Sequence, residues 1–149
     1  MKIYALMENI SHDECLACEH GLSLYIEADG KKILFDTGAS EKFAENAEKM
    51  GVDLKAVDFA AISHGHYDHG GGLAKFIELN DHAPIYISDK GFNQYYSGTD
   101  FNVSIPEGLE GNERFVLTNA PIKLSENITL LNCNDREAKY YADPYGLNK

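Results

Sequence analysis

The six residues at positions 64–69, His-Gly-His-Tyr-Asp-His, bring three histidines and one aspartate together in the order HxHxDH. Imidazole nitrogens and carboxylate oxygens are ligands that suit zinc, iron and manganese. Side chains two apart on an extended segment point the same way, which aims His64 and His66 at one ion. Asp68 and His69, past a turn, reach a neighbouring ion, so the cluster is expected to hold one or two ions. Gly70, Gly71 and Gly72 follow, allowing a sharp turn and a close backbone approach to metal. An isolated histidine such as His12 or His82 is ordinarily a surface or core residue. Three imidazoles beside a carboxylate at a strand end have little structural purpose without metal, so metal binding is the expectation for this cluster.

The elements around the cluster can be read from periodicity and turn chemistry. Residues 58–63 (DFAAIS) read as a buried strand that runs directly into the histidines and anchors them on one side. Upstream, residues 2–8 suit a mostly buried strand, and residues 9–20 are polar and aperiodic, hence a loop. Strands over 22–28 and 32–35 are joined by Asp29-Gly30, a strong hairpin signal, and the second ends in Asp36-Thr37-Gly38. A helix begins at Ser40, which can cap it, shares one face among Phe43, Ala44, Ala47 and Met50, and closes at Gly51. A second helix over 73–79 follows the glycines, then a short strand over 85–88. Residues 91–111 read as loop, with strands near 115–117, 122–124 and 128–131. The tail, 132–149, is polar and tyrosine-rich, with no clear element. The fold class is α/β, a mixed sheet with flanking helices in one domain over 1–149.

Composition narrows the function. The chain has 149 residues, with 44% hydrophobic and 25% charged, ordinary values for a globular protein. Its longest apolar run is five residues, 3–7, so no membrane span is expected. The first residues lack the pattern of a secretory signal, and a cytoplasmic location follows. A net charge of −11 repels phosphate backbones, and no Lys/Arg cluster offsets it, so nucleic acid is not an expected partner. A small-molecule substrate is. Three cysteines, an odd number, argue for reduced thiols over a disulfide framework.

SHGHYDHGGGL at 63–73 resembles the metal-binding signature of the metallo-β-lactamase superfamily, and ILFDTG at 33–38 is similar to its upstream aspartate motif. CEHGLSLYIEADGKKILFDTG at 18–38, with ENAEKMG at 45–51, resembles the branch containing pterin-linked ribofuranosylaminobenzene phosphate synthase-like proteins. The resemblance covers most of residues 1–88. It implies that His64 and His66 bind a first metal, and Asp68 and His69 a second. Asp36 would stand behind them, orienting ligands or a water, so Asp68 and Asp36 are the implied catalytic residues. Glu19 and His20 would stand at the mouth, touching substrate. The implied cofactor is zinc, with iron or manganese as alternatives. The implied chemistry is metal-activated water attacking an ester, thioester, amide or phosphoester.

The family's architecture is a four-layer αββα sandwich of two similar halves, and this chain resembles the first half. The family's later ligands, two histidines and a bridging aspartate, have no counterpart here. After His69 the one histidine is His82, in a context that reads as a surface turn. Asp135 or Asp143 could stand in for the bridging aspartate, although nothing around them recommends it. A half alone would leave a sheet face uncovered, so the chain is expected to pair as a homodimer or with a complementing partner chain. The rival reading is a catalytically silent metal-binding or interaction subunit.

Smaller signals have plainer readings. Cys15-x-x-Cys18, with His12 and His20 nearby, lacks the second CxxC of a strong zinc motif and reads as ordinary thiols, as does Cys133. Tyr95, Tyr96, Tyr140, Tyr141 and Tyr145 read as packing residues before pocket residues.

Overall fold

The computed structural model describes residues 1–131 and the backbone of residues 147 and 148. The first strand, β1 (Lys2–Met7), pairs antiparallel with β2 (Ser23–Ala28), which folds back on β3 (Lys31–Phe35). Asp29 and Gly30 make that return possible, with φ of 53° and 71°, the positive pair a tight two-residue hairpin needs. After β3 come helix α1 (Lys42–Lys49) and a single 3-10 turn (Leu54–Ala56), leading to β4 (Phe59–Ala61). Two short helices, α2 (Tyr67–Gly70) and α3 (Leu73–Leu79), precede β5 (Ile85–Ser88). A small hairpin, β6 (Tyr96–Ser97) and β7 (Phe101–Asn102), separates β5 from β8 (Phe115–Thr118).

These strands build a six-stranded mixed sheet in the order β1-β2-β3-β4-β5-β8. The β1–β2–β3 part is antiparallel, and β3, β4, β5 and β8 run parallel. Side chains alternate between the two faces of a strand. The register therefore places Tyr25, Leu34, Ala60 and Ile85 in one row. That row joins Phe43, Ala47, Leu54, Leu73 and Phe76 of the helical layer in one apolar core. The opposite face carries a second apolar row, Ile3, Ile26, Ile33 and Phe59.

Two buried asparagines tie the layers. Asn46 Nδ2 donates to Leu6 O and Ala17 O, and its Oδ1 accepts from Ala17 N–H. Asn80 Nδ2 donates to the carbonyls of Leu54, Lys55 and Val57, and its Oδ1 accepts from Ala83 N–H. Arg114 reaches the same corner, donating to Ala83 O, Ile77 O and Asn80 O.

The expected strands and helices of the first 88 residues are present with ends moved by a residue or two. α2 was not legible, because four residues carry too little periodicity. Residues 91–111, expected as loop, contain β6 and β7, and 103–105 pair with the histidine loop. The short hairpin β9 (Ile122–Lys123) and β10 (Thr129–Leu130) matches the last two expected strands. Its turn is held to the β2–β3 turn, where Asn127 Nδ2 donates to Asp29 Oδ1 at 2.9 Å. In the tail, expected to hold no element, the backbone of β11 (Leu147–Asn148) pairs with β6. Cys133, Asp135, Tyr140, Tyr141, Asp143 and Tyr145 lie outside the described residues. No helix among the described residues is long and apolar enough to cross a membrane.

Candidate metal site

The parallel pairing of β3 with β4 continues one step past Phe35, where Asp36 N–H donates to Ala61 O at 3.0 Å. This brings Asp36 beside the start of the histidine loop. The carboxylate is fully buried and saturated with donors. Ser63 N–H reaches Oδ1 at 2.7 Å, while the Ser63 hydroxyl and His69 Nδ1 each reach Oδ2 at 2.7 Å. Asp36 holds a φ of 58°, a left-handed conformation unusual for a non-glycine residue. The hydroxyl of Ser23 donates to Asp36 O at 2.8 Å and braces it.

This network orients two imidazoles. Since a carboxylate only accepts, the proton shared between His69 and Asp36 sits on Nδ1, leaving His69 Nε2 free to bind metal. The Ser63 hydroxyl gives its proton to Asp36, so its lone pair faces His64 Nδ1 at 2.9 Å. His64 Nε2 is thereby freed as well. Ser63 was not singled out in the sequence; its position directly before HxH was the available signal.

His64, Asp68 and His69 each offer a ligand atom, all within 4.8 Å of one another. The alternation rule pairs His64 with His66, but the compact group joins His64 to the residues beyond the turn. The reason is α2, which starts right after His66 and swings Asp68 and His69 back under His64. The His66 ring lies 4.4 Å from that of His64, and Tyr95 also packs edge-on against it at 5.2 Å. Tyr95 arrives with the segment missed in the sequence. Tyr67 N–H donates to Val103 O at 2.8 Å and Ile105 N–H to Gly65 O at 3.0 Å, so 103–105 brace the loop.

Gly71 and Gly72 also let backbone meet backbone. A Cβ on Gly71 would stand 2.2 Å from Ala39 O, and one on Gly72 would stand 2.4 Å from Thr37 O. They let the end of the loop pack directly on the Asp36-Thr37-Gly38 turn, where Thr37 N–H donates to His69 O at 2.7 Å. Both motifs thus form one unit.

Electrostatics follow the packing. Burial, with the neighbouring His69 and His66, pushes the His64 pKa down to about 4, so its ring is neutral and ready to ligate at pH 7. Burial also presses on His69, but the hydrogen bond and charge of Asp36 and the charge of Asp68 outweigh it and raise its pKa.

Glu19 and His20, expected at the mouth, part ways. The Glu19 carboxylate accepts from Ala39 N–H and the Ser40 hydroxyl and pairs with Lys42, clasping the entry to α1. His20 Nε2 lies 3.3 Å from Asp68 Oδ2. Together with Glu8, Asn9, Asp68 and His69, His20 lines an open cavity of about 270 Å³. A larger cavity, about 530 Å³ between α1 and α3, contains none of the cluster. Cys15 and Cys18 are free and exposed, and His82 is an exposed turn residue beside Asp81.

A sequence model of the metallo-beta-lactamase superfamily matches residues 16–132. The 7,8-dihydropterin-6-methyl-4-(beta-D-ribofuranosyl)-aminobenzene-5'-phosphate synthase of Methanocaldococcus jannaschii is 31% identical over 92% of this chain and 52% of its own length. Among solved structures, Tm1679, a metal-dependent hydrolase of the beta-lactamase superfamily, superposes with a TM-score of 0.69 at 32% identity. That match covers 87% of this chain and 46% of Tm1679. An N-acyl homoserine lactone lactonase shares the fold at 17% identity and a TM-score of 0.55, over 74% of this chain and 49% of its own. The chain spans about half the length of the relatives it matches. With both motifs forming one ligand-bearing unit and these matches across most of its length, the chain belongs to the metallo-beta-lactamase superfamily.

Proposed function

We propose that this chain is a metal-dependent hydrolase of small molecules, with zinc, or iron or manganese, held by His64, His66, Asp68 and His69. The observation that carries the reading is the Asp36–Ser63 network, which occupies Nδ1 of both His64 and His69 and leaves Nε2 of each as the nitrogen available to a metal. This is the way proteins prepare imidazole ligands. A bound ion supplies Lewis acidity and activates water for attack on an ester, thioester, amide or phosphoester. Asp36 positions His69 from behind, Asp68 stands at the open side next to the cavity, and Tyr95 backs His66. Because one relative is a synthase and another a hydrolase, the proposal commits to the activated water and not to one substrate. A cytoplasmic setting belongs to the same proposal.

A second reading is a silent metal-binding or interaction subunit, and Ile3, at the edge of the outer apolar row and 54% exposed, marks the face through which such a subunit would assemble. We propose that a second copy of this chain covers that face. Metal analysis of the purified protein tests the first reading. The expected result is about one or two ions per chain, lost in His64→Ala, with hydrolysis of generic esters or phosphodiesters by the loaded protein. Absence of metal after zinc, iron or manganese loading overturns it, and metal binding without hydrolysis supports the silent subunit. If the active form is the dimer, activity disappears on dilution to monomer.

A further inference from the structure

We infer that His20 is a positioning residue for Asp68, and through it for the metal, in place of the substrate contact expected from the sequence. The inference rests on the metal-site reading above. Asp68 Oδ2 lies between two imidazoles, 3.5 Å from His69 Nε2 and 3.3 Å from His20 Nε2. His69 belongs to the compact group with His64, and His20 stands outside it, across the carboxylate. The backbone next to His20 is docked on the same residue. Leu22 N–H donates to Asp68 O at 3.3 Å. Gly21, at φ 137°, comes so near that a Cβ would sit 2.2 Å from that carbonyl. Only glycine combines this φ with this approach.

The segment is braced from its other sides as well. Asn9 Oδ1 accepts Gly21 N–H at 3.0 Å, and Leu22 O accepts Gly38 N–H at 2.8 Å. Glu19, one residue earlier, is clasped to Ala39 and Ser40. A ring that is 72% exposed is therefore delivered to Asp68 by a rigid backbone. A carboxylate ligand rotates freely unless a donor holds one of its oxygens, and such outer donors commonly set metal affinity by about 10–100-fold. His20 Nε2, 3.3 Å from Asp68 Oδ2, is placed to be that donor when it carries the proton.

The test uses the full chain, with zinc and cobalt(II) alone as probes, in wild type, His20→Ala and His20→Gln. The expected result is zinc binding weakened about 10-fold or more in His20→Ala, read by competition with a chromophoric chelator, with an altered cobalt absorption spectrum. His20→Gln, whose side-chain amide can donate from a similar position, restores most of the affinity and the wild-type spectrum. The three metal-free proteins melt together, since the ring is exposed. Unchanged zinc affinity in His20→Ala overturns the inference while leaving the hydrolase reading intact. Equal loss in both variants, with a changed cobalt spectrum, makes His20 a direct ligand and also overturns it. A metal-free His20→Ala that melts well below wild type makes the role structural, with the same consequence. A wild-type chain that takes up no metal overturns both readings.

Discussion

On the helical face of the sheet, Leu34 and Ile85 are completely buried beneath Phe43 and Phe76. On the other face the row from Ile3 to Phe59 has equally apolar side chains, yet burial ranges from 7% exposed at Ile33 and Phe59 to 54% at Ile3. Apolar area stabilises only where something removes it from water. The helical face therefore holds the fold together and fixes the ends of β3 and β4, from which Asp36 and Ser63 reach the candidate metal ligands. The outer face holds less of the fold and is the surface on which we propose assembly. Residues that look alike in sequence have different work because of what stands opposite them.

The largest break in this comparison is expected on the closed face. Phe76→Ala removes a fully buried ring and should cost about 3–5 kcal/mol, read from urea unfolding. A loss below about 1 kcal/mol would mean the helical layer is not what stabilises the sheet. Asn80→Ala comes next: it strips the donor from three backbone carbonyls around the 3-10 turn. About 2–3 kcal/mol is expected, with the unfolding slope unchanged.

A pH series sharpens the link between the closed face and the site. In metal-free protein His64 takes its proton near pH 4, whereas an unfolded chain takes it near the ordinary value of about 6.5. Between these values the unfolded state binds more protons, so stability rises with pH. The His64 contribution is complete above about pH 6.5 and is lost as pH falls through about 4. His64→Gln should flatten that part of the profile; a slope identical to wild type would show that His64 is not buried as described. The smallest effect belongs to the outer face. Ile3→Lys should change monomer stability by less than about 0.5 kcal/mol while shifting sedimentation from dimer to monomer. A variant that still dimerises would place the interface elsewhere.

Much of this was legible in the residues. HxHxDH announced a metal cluster through ligand type and spacing, and Asp29-Gly30 announced a hairpin because its turn needs two positive φ angles. The helical face of α1 followed from Phe43 and Ala47. Besides α2, three things were not legible. Ser63 looks like any strand-end serine until Asp36 is seen to accept from both its backbone and its hydroxyl. Residues 103–105 have no periodicity of their own, because they are ordered by pairing with the histidine loop. The glycines after His69 did not show that Gly71 and Gly72 pack on Ala39 and Thr37, since sequence cannot say which backbone comes near.

By itself the sequence determined the ligand types, the order of the strands and of the two longer helices, α1 and α3, in the first 88 residues, and the superfamily. These depend on local chemistry and short periods, which are written in consecutive residues. Only the tertiary structure decided which ligands converge, which imidazole nitrogens are left free, and that His20 stands against Asp68. The first depends on the turn of α2, and the others come from contacts across long stretches of chain, such as that between Asp36 and His69, 33 positions apart, which exist only once the sheet has brought the two motifs together.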